Sequence, residues 1–164
     1  MSILPQNYLP EQYLNTSQLS INHNYLPQQF SDSEAIFNEI RELVKRGDFT
    51  LGQAVDDLEN EFKKITQTRH AIGVGSGTDA IFLSLKALGI DKGDEVITVP
   101  YTFYATVAPI VTAGARPVFV DVGGDYNMDP EKIEAAITSR TKAILPVHWS
   151  GLICDMEHIS IIAE

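Results

Sequence analysis

The spacing of apolar positions divides the chain into three stretches. Residues 1 to about 30 are polar and punctuated by proline, with no sustained period. Between residues 31 and 66 the apolar positions step by three and four. Ile36, Ile40 and Leu43 fall on one face with Phe37 and Val44 beside them, and Val55, Leu58, Phe62 and Ile65 form a second stripe. Both patterns predict amphipathic helices. Ser31 or Ser33 is the expected cap of the first, Gly47 its end, and residues 48–52 a tight connection to the second. Asp56, Asp57, Glu59, Lys63 and Lys64 make the water-facing side of that second helix.

From His70 onward the pattern changes. Short unbroken apolar runs at residues 71–74, 95–99, 117–120 and 143–147 alternate with helical stretches at 80–88, 104–113 and 129–137. Asp129 is placed to cap the last of these and Pro130 to occupy its first position, while Gly89, Gly93 and Gly114 mark the returns. Repeated strand–helix–strand units with continuous apolar strands predict an α/β fold: a parallel sheet covered on both faces, with right-handed crossovers. Residues 155–164 read as one more helix, with Met156, Ile159 and Ile162 or Ala163 on one side. It stops without glycine, proline or a capping residue, so the expectation is a chain truncated in mid-fold.

The polar N-terminal stretch holds a small echo. Residues 7–13, Asn-Tyr-Leu-Pro-Glu-Gln-Tyr, return at 24–30 as Asn-Tyr-Leu-Pro-Gln-Gln-Phe. Two copies are too few for a solenoid. The readings are a duplicated docking segment, or a surface-hugging arm in which an apolar-aromatic turn recurs by chance.

Composition narrows the picture. With 164 residues, 44% hydrophobic and 21% charged, the chain is one globular domain by length. No apolar run approaches the roughly 18 residues of a membrane span. The start of the chain has neither the basic residues nor the apolar core of a signal peptide, so the expected setting is cytoplasmic. Cys154 is the only cysteine, which excludes an internal disulfide. The net charge of −10 argues against a nucleic-acid partner. His23, His70 and His158 lack ligand spacing, so no metal site is expected.

Chemistry in an open parallel sheet gathers beyond the carboxyl ends of the strands. Four such ends are expected here: the turn at Ser76-Gly77-Thr78, the aromatic turn at residues 100–104, the acidic turn at 121–125, and His148-Trp149-Ser150-Gly151. The first opens a helix, where unpaired N–H groups, the helix dipole and the glycines together suit a phosphate. It is not a Walker loop, because no lysine follows Gly77. It is not a dinucleotide fingerprint, because Asp79 and Ala80 stand where a further glycine belongs, and no acidic residue ends the second strand. A nucleophile elbow around Ser76 would need glycine at Val74 and Thr78. Taken alone, the turn is equally well a tight connection, Phe103 a core residue and His148 a hydrogen-bonded rim histidine. Together, a phosphate seat, an aromatic-rich turn and a histidine on one rim suit a flat phosphorylated aromatic cofactor better than a nucleotide.

An ordered series of motifs runs from about residue 30 to the end: Gly47-Asp48-Phe49-Thr50-Leu51-Gly52, Gly75-Ser76-Gly77-Thr78-Asp79-Ala80, Gly93-Asp94-Glu95-Val96-Ile97 and Pro100-Tyr101-Thr102-Phe103-Tyr104-Ala105-Thr106. It continues with Gly114-Ala115-Arg116-Pro117-Val118-Phe119-Val120-Asp121, Asn127-Met128-Asp129-Pro130 and Thr141-Lys142-Ala143-Ile144-Leu145-Pro146-Val147-His148. In this order and spacing the chain resembles the DegT/DnrJ/StrS sugar aminotransferases, of the aspartate aminotransferase fold type. The resemblance implies an N-terminal arm over residues 1–30, then a partial large domain over 31–164. It implies pyridoxal 5'-phosphate as cofactor, with Gly77 and Thr78 on its phosphate and Phe103 stacked on its ring. It also implies transfer of an amino group, usually from glutamate, to a nucleotide-linked keto-sugar by a homodimer.

Two groups that the resemblance calls for have no counterpart here. None of Lys45, Lys63, Lys64, Lys86, Lys92, Lys132 or Lys142 stands in the context of the family's Schiff-base lysine, and no aspartate stands in that of the one that pairs with the pyridine nitrogen. No catalytic residue is therefore assigned, and the chain alone is expected to be inactive. Trp149-Ser150-Gly151 also departs from the usual Leu-Tyr-Gly. The other readings are a short non-catalytic homologue that pairs with a full-length relative, and an unrelated phosphate-binding α/β module.

Overall fold

The computed structural model describes residues 26–164, so the first copy of the echo and most of the expected arm lie outside the described residues. The chain divides into two compact units, Met1–Ile65 and Thr66–Glu164. The described part of the first begins with a single helical turn, α1 (Leu26–Gln29), followed by α2 (Ser33–Arg46) and α3 (Gln53–Thr66). Both long helices form where the three-four spacing places them. Neither serine caps α2: Asp32 takes the cap position without a side-chain bond, and Ser33 is already helical. Gly47 ends α2 in the left-handed region (φ 70°), where its N–H donates to the Leu43 and Val44 carbonyls. The Asp48 carboxylate then accepts the Gln53 N–H at 2.9 Å and starts α3. Ile36, Phe37, Ile40, Val44, Leu58, Phe62 and Ile65 all remain exposed, so the two stripes are helical but unburied.

The second unit runs α4 (Gly77–Ala87), β1 (Glu95–Thr98), α5 (Tyr104–Thr112), β2 (Arg116–Phe119), two 3-10 turns, β3 (Thr141–Ile144), a third 3-10 turn, and α6 (Met156–Ala163). The sheet is parallel, in the order β2-β1-β3, with Glu95 opposite Arg116 on one side and Thr141 on the other. β1 is therefore the centre, and all four of its residues are buried. Alternation along β1 sends its neighbours into two cores. Val96 packs with Leu85, Ile90, Ile110, Ala113 and Ala115 beneath α4 and α5. Ile97 and Val99 pack with Val120, Met128, Ile133, Cys154 and Ile159 beneath the 3-10 turns and α6. The expected α/β fold with a parallel sheet covered on both faces is present.

In the second unit three further expectations fail locally, each for a physical reason. Residues 71–74 form no strand: they are not among the three paired strands of the sheet, and Ile72 is 79% exposed. An apolar run states what a segment would bury; a strand also needs a neighbour's hydrogen bonds. Residues 129–137 form two 3-10 turns, Pro130–Lys132 and Glu134–Ala136, in place of an α-helix. Their bonds close three residues apart, as from Ile133 N–H to the Pro130 carbonyl at 3.1 Å. The turns bury Ile133 completely and then release Ile137 as extended chain. The Asp129 cap is present, accepting the Glu131 N–H at 3.1 Å. Finally, β3 lies two to three residues earlier than the apolar run 143–147, because pairing with β1 begins at Thr141 and ends at Ile144.

Candidate functional site

Past the carboxyl ends of the strands, three loops and one helix start form a rim. At its first part, Ser76 is extended and caps α4: its Oγ accepts the Asp79 N–H at 3.1 Å and donates to Asp79 Oδ2 at 3.0 Å. The Ser76 carbonyl accepts the Ala80 N–H at 3.0 Å. That leaves the N–H groups of Gly77 and Thr78 without an acceptor among the described residues, at the positive end of the helix dipole. A Cβ on Gly77 would meet no atom within 4 Å, so the approach is open, whereas one on Gly75 would stand 2.9 Å from Asp79 Oδ2. The Thr78 side chain is exposed. The turn holds no lysine or arginine, and the Asp79 carboxylate is drawn back onto Ser76.

Phe103 caps the start of α5 and is 66% exposed, outside both cores. Its ring meets that of Tyr104 edge-on, with centroids 4.6 Å apart, and among the described residues it makes no other ring contact. No hydrogen bond or ring contact joins Phe103 to Gly77 or Thr78. Helix direction is what relates them. Lys86, in the last turn of α4, donates to the Ala113 carbonyl at the end of α5 at 3.4 Å. The two helices pack on one another with their carboxyl ends together, so they run parallel and their amino ends share one edge. Gly77, Thr78 and Phe103 are thereby brought to the same rim.

The loops after β2 and β3 are tied by Asn127, a residue that the sequence offered only as part of a motif. It is 2% exposed. Its Oδ1 accepts the Trp149 N–H at 2.9 Å, and its Nδ2 lies 3.1 Å from Asp125 Oδ2, 3.3 Å from the Leu152 carbonyl and 3.4 Å from that of Ile153. A buried amide joining two loops leaves their partners unpaired when removed. Asn127→Ala is therefore expected to cost about 1–3 kcal/mol in urea unfolding, and a loss below about 0.5 kcal/mol would count against the tie.

His148 is exposed, and its Nδ1 accepts the Cys154 N–H at 3.2 Å. The ring proton of the neutral histidine accordingly sits on Nε2, directed away from that bond. The Cys154 thiol donates to the Val147 carbonyl at 3.1 Å, and burial pushes its pKa up, which keeps it a thiol. Tyr101, Tyr126 and Trp149 form an aromatic cluster above the same strand ends. The rim segments 73–79, 99–106, 121–131 and 145–155 contain no lysine or arginine, but they carry Asp79, Asp121, Asp125, Asp129, Glu131 and Asp155.

Comparison with known proteins gives this geometry a context. A family model described as the DegT/DnrJ/EryC1/StrS aminotransferase family matches residues 31–164. The spore coat polysaccharide biosynthesis protein SpsC of Bacillus subtilis is 46% identical over 127 residues, which are 77% of this chain and 33% of that protein. The dTDP-3-amino-3,4,6-trideoxy-alpha-D-glucose transaminase of Micromonospora megalomicea is 40% identical over 142 residues, 86% of this chain and 38% of that protein. Among solved structures, NtdA of Bacillus subtilis with bound cofactor PMP superposes with a TM-score of 0.81 at 38% identity, over 90% of this chain and 35% of that one. The chain thus spans between a third and two fifths of the length of these relatives. No helix among the described residues is long and apolar enough to cross a membrane.

Proposed function

Since the chain belongs to the DegT/DnrJ/EryC1/StrS aminotransferase family, we propose that it supplies the phosphate cradle and ring platform of a pyridoxal-phosphate-dependent sugar aminotransferase. The amino donor in this reading is glutamate and the acceptor the keto group of a nucleotide-linked sugar. The observation that carries the reading is the shared rim of α4 and α5, with two unpaired N–H groups at Gly77 and Thr78 and an exposed ring at Phe103. Those residues fit the cofactor. The two N–H groups, the Thr78 hydroxyl and the helix dipole would hold its phosphate without a cationic side chain. Phe103 would lie against its ring.

When bound, pyridoxal phosphate supplies an electron-accepting ring that stabilises negative charge on the carbon losing or gaining a proton. The described residues orient it but hold no group placed to move that proton. Of the lysines in the second unit, Lys86 is bonded at the far end of α4 and Lys132 pairs with Asp129 at 3.1 Å. Lys92 lies in the turn that enters β1, and Lys142 on β3. In this reading the chain alone binds cofactor without transaminating, and residues 31–164 act as one part of a larger catalytic domain that works as a homodimer. The family match over those residues and the relatives' greater length support it.

Calorimetric titration tests the cradle. Pyridoxal phosphate is expected to bind more tightly than pyridoxal, and Thr78→Val to weaken the phosphorylated ligand about tenfold or more, since a bond to a charged group is lost. Equal affinity for the two ligands would refute the phosphate assignment.

A further inference from the structure

The aromatic cluster on the rim is not used by the cofactor reading. Its rings stand in the order of the strands beneath them. Tyr126 follows β2, Tyr101 follows β1 and Trp149 follows β3, which is the order of the sheet. The Tyr101 ring is the centre of the row, with its centroid 5.6 Å from that of Tyr126 and 4.5 Å from that of Trp149. Tyr101 is 47% exposed and Tyr126 57%, while Trp149 is half-buried, so two of the three rings are open to solvent and neighbouring rings meet at a tilt.

The row is also held in place against local preference. Tyr126 has φ 66°, and Ser150, beside Trp149, has φ 50°. A bulky residue in the left-handed region is uncommon and unfavourable; it persists only where the surroundings fix it. The surroundings here are the buried Asn127 amide, which bonds the Trp149 N–H on one side and Asp125 on the other. The Gly123 N–H closes the Tyr126 loop onto the Asn127 carbonyl at 2.9 Å. Two loops are thus locked so that three aromatic side chains meet above the strand ends.

We infer that Tyr126, Tyr101 and Trp149 form a carbohydrate platform, which takes the uncharged sugar ring of the acceptor and leaves its nucleotide diphosphate elsewhere. The inference rests on the sugar-aminotransferase reading above and specifies how that site recognises its acceptor. Two features select a sugar ring over a nucleotide. The first is charge: the three loops that carry the rings, 99–106, 121–131 and 145–155, contain five carboxylates and no lysine or arginine, so a diphosphate placed on the row, away from the helix start at Gly77 and Thr78, would find no cationic side chain in these loops. The second is shape: the rings are tilted 39° and 46° from one another, which breaks the plane that a flat base would stack on. The puckered C–H face of a pyranose follows such a surface.

Trp149 is the only tryptophan of the chain, so its fluorescence reports this site without background. The full chain is titrated with dTDP-glucose, with dTDP, and with methyl α-D-glucopyranoside at high concentration. The expected result is a saturable change in emission with dTDP-glucose and with the methyl glycoside, and none with dTDP. Tyr101→Ala, which keeps the reporter, is expected to weaken the dTDP-glucose titration by about fivefold to tenfold, the range of one aromatic contact. Tyr126→Gly, which relieves the left-handed strain while removing a ring, is expected to weaken it although the fold is not destabilised. Circular dichroism melts identify any variant that fails to fold, and the remaining variant then decides.

A response to dTDP equal to that of dTDP-glucose would overturn the inference, as would no response to either sugar, or unchanged titration in a folded Tyr101→Ala or Tyr126→Gly chain. The pyridoxal phosphate titration separates this from the broader reading. Cofactor binding without a sugar response sinks the platform alone, and a sugar response without cofactor binding sinks the aminotransferase reading while the platform stands.

Discussion

Ile97→Ala is expected to lower the stability of the second unit by about 2–5 kcal/mol, the cost of truncating a fully buried branched side chain. Ile97 lies on the central strand, with no exposed surface, and touches the core formed by Val99, Val120, Met128, Ile133, Cys154 and Ile159. Strand β1 is flanked on both edges, so the structure has little freedom to close the cavity. Domains of this size are stable by only about 5–15 kcal/mol, so the loss approaches the total. Urea unfolding followed by far-ultraviolet dichroism is the measurement. Val111→Ala on the 59% exposed side of α5 serves as control, with an expected change within about 0.5 kcal/mol. If the two variants unfold at the same urea concentration, the buried face of β1 has been misplaced.

Acid is expected to undo a second feature of the same strand. Glu95, at the amino end of β1, is completely buried and joins the starts of all three strands. Its Oε1 accepts from Arg116 Nη2 at 2.6 Å and from Arg140 Nε at 2.8 Å, and its Oε2 from the Thr138 hydroxyl at 2.7 Å. The Arg116 bond, then those from Thr138 and Arg140, hold its carboxyl down from an ordinary 4.5 to about 2. A depressed carboxyl contributes stability that is fully present above the unfolded value and lost as pH falls through the folded one. The urea midpoint should therefore fall as pH is lowered from about 4.5 to about 2. Glu95→Gln, which keeps the size but not the charge, should be less stable at neutral pH and show a shallower acid slope. A slope identical in the two proteins would assign the acid response to other carboxylates.

The clamp sits at the end of the strands opposite the rim, so it fixes the sheet rather than touching a ligand. Asn127 does the corresponding work at the rim, and the two tie the opposite ends of three four-residue strands.

Much of this was legible in order along the chain. The three-four stripes of α2 and α3, the strand–helix alternation after His70, the glycine-rich turn that opens α4 and the Asp129-Pro130 start each carry their signal within a few residues. The helix start at Gly77 and Thr78 was legible for the same reason, since the unpaired N–H groups of a helix start belong to its own backbone. Phe103 was legible as an aromatic beyond a strand end, but its exposure was not, because burial depends on elements distant in sequence.

What the sequence determined alone was local: which segments prefer to be helical, which are apolar enough to be strands, and where turns stop them. Tertiary structure decided the rest. It left residues 71–74 outside the three-stranded sheet, turned residues 129–137 into two tight turns so that Ile133 could reach the core, and shifted β3 to the register that β1 imposes. It also brought Glu95 to Arg116 and Arg140, and Tyr101 to Tyr126 and Trp149, across separations that no periodicity spans. The reason is physical: a helix closes its hydrogen bonds within its own segment, whereas a strand, a buried carboxylate and a row of rings exist only when other parts of the chain arrive beside them.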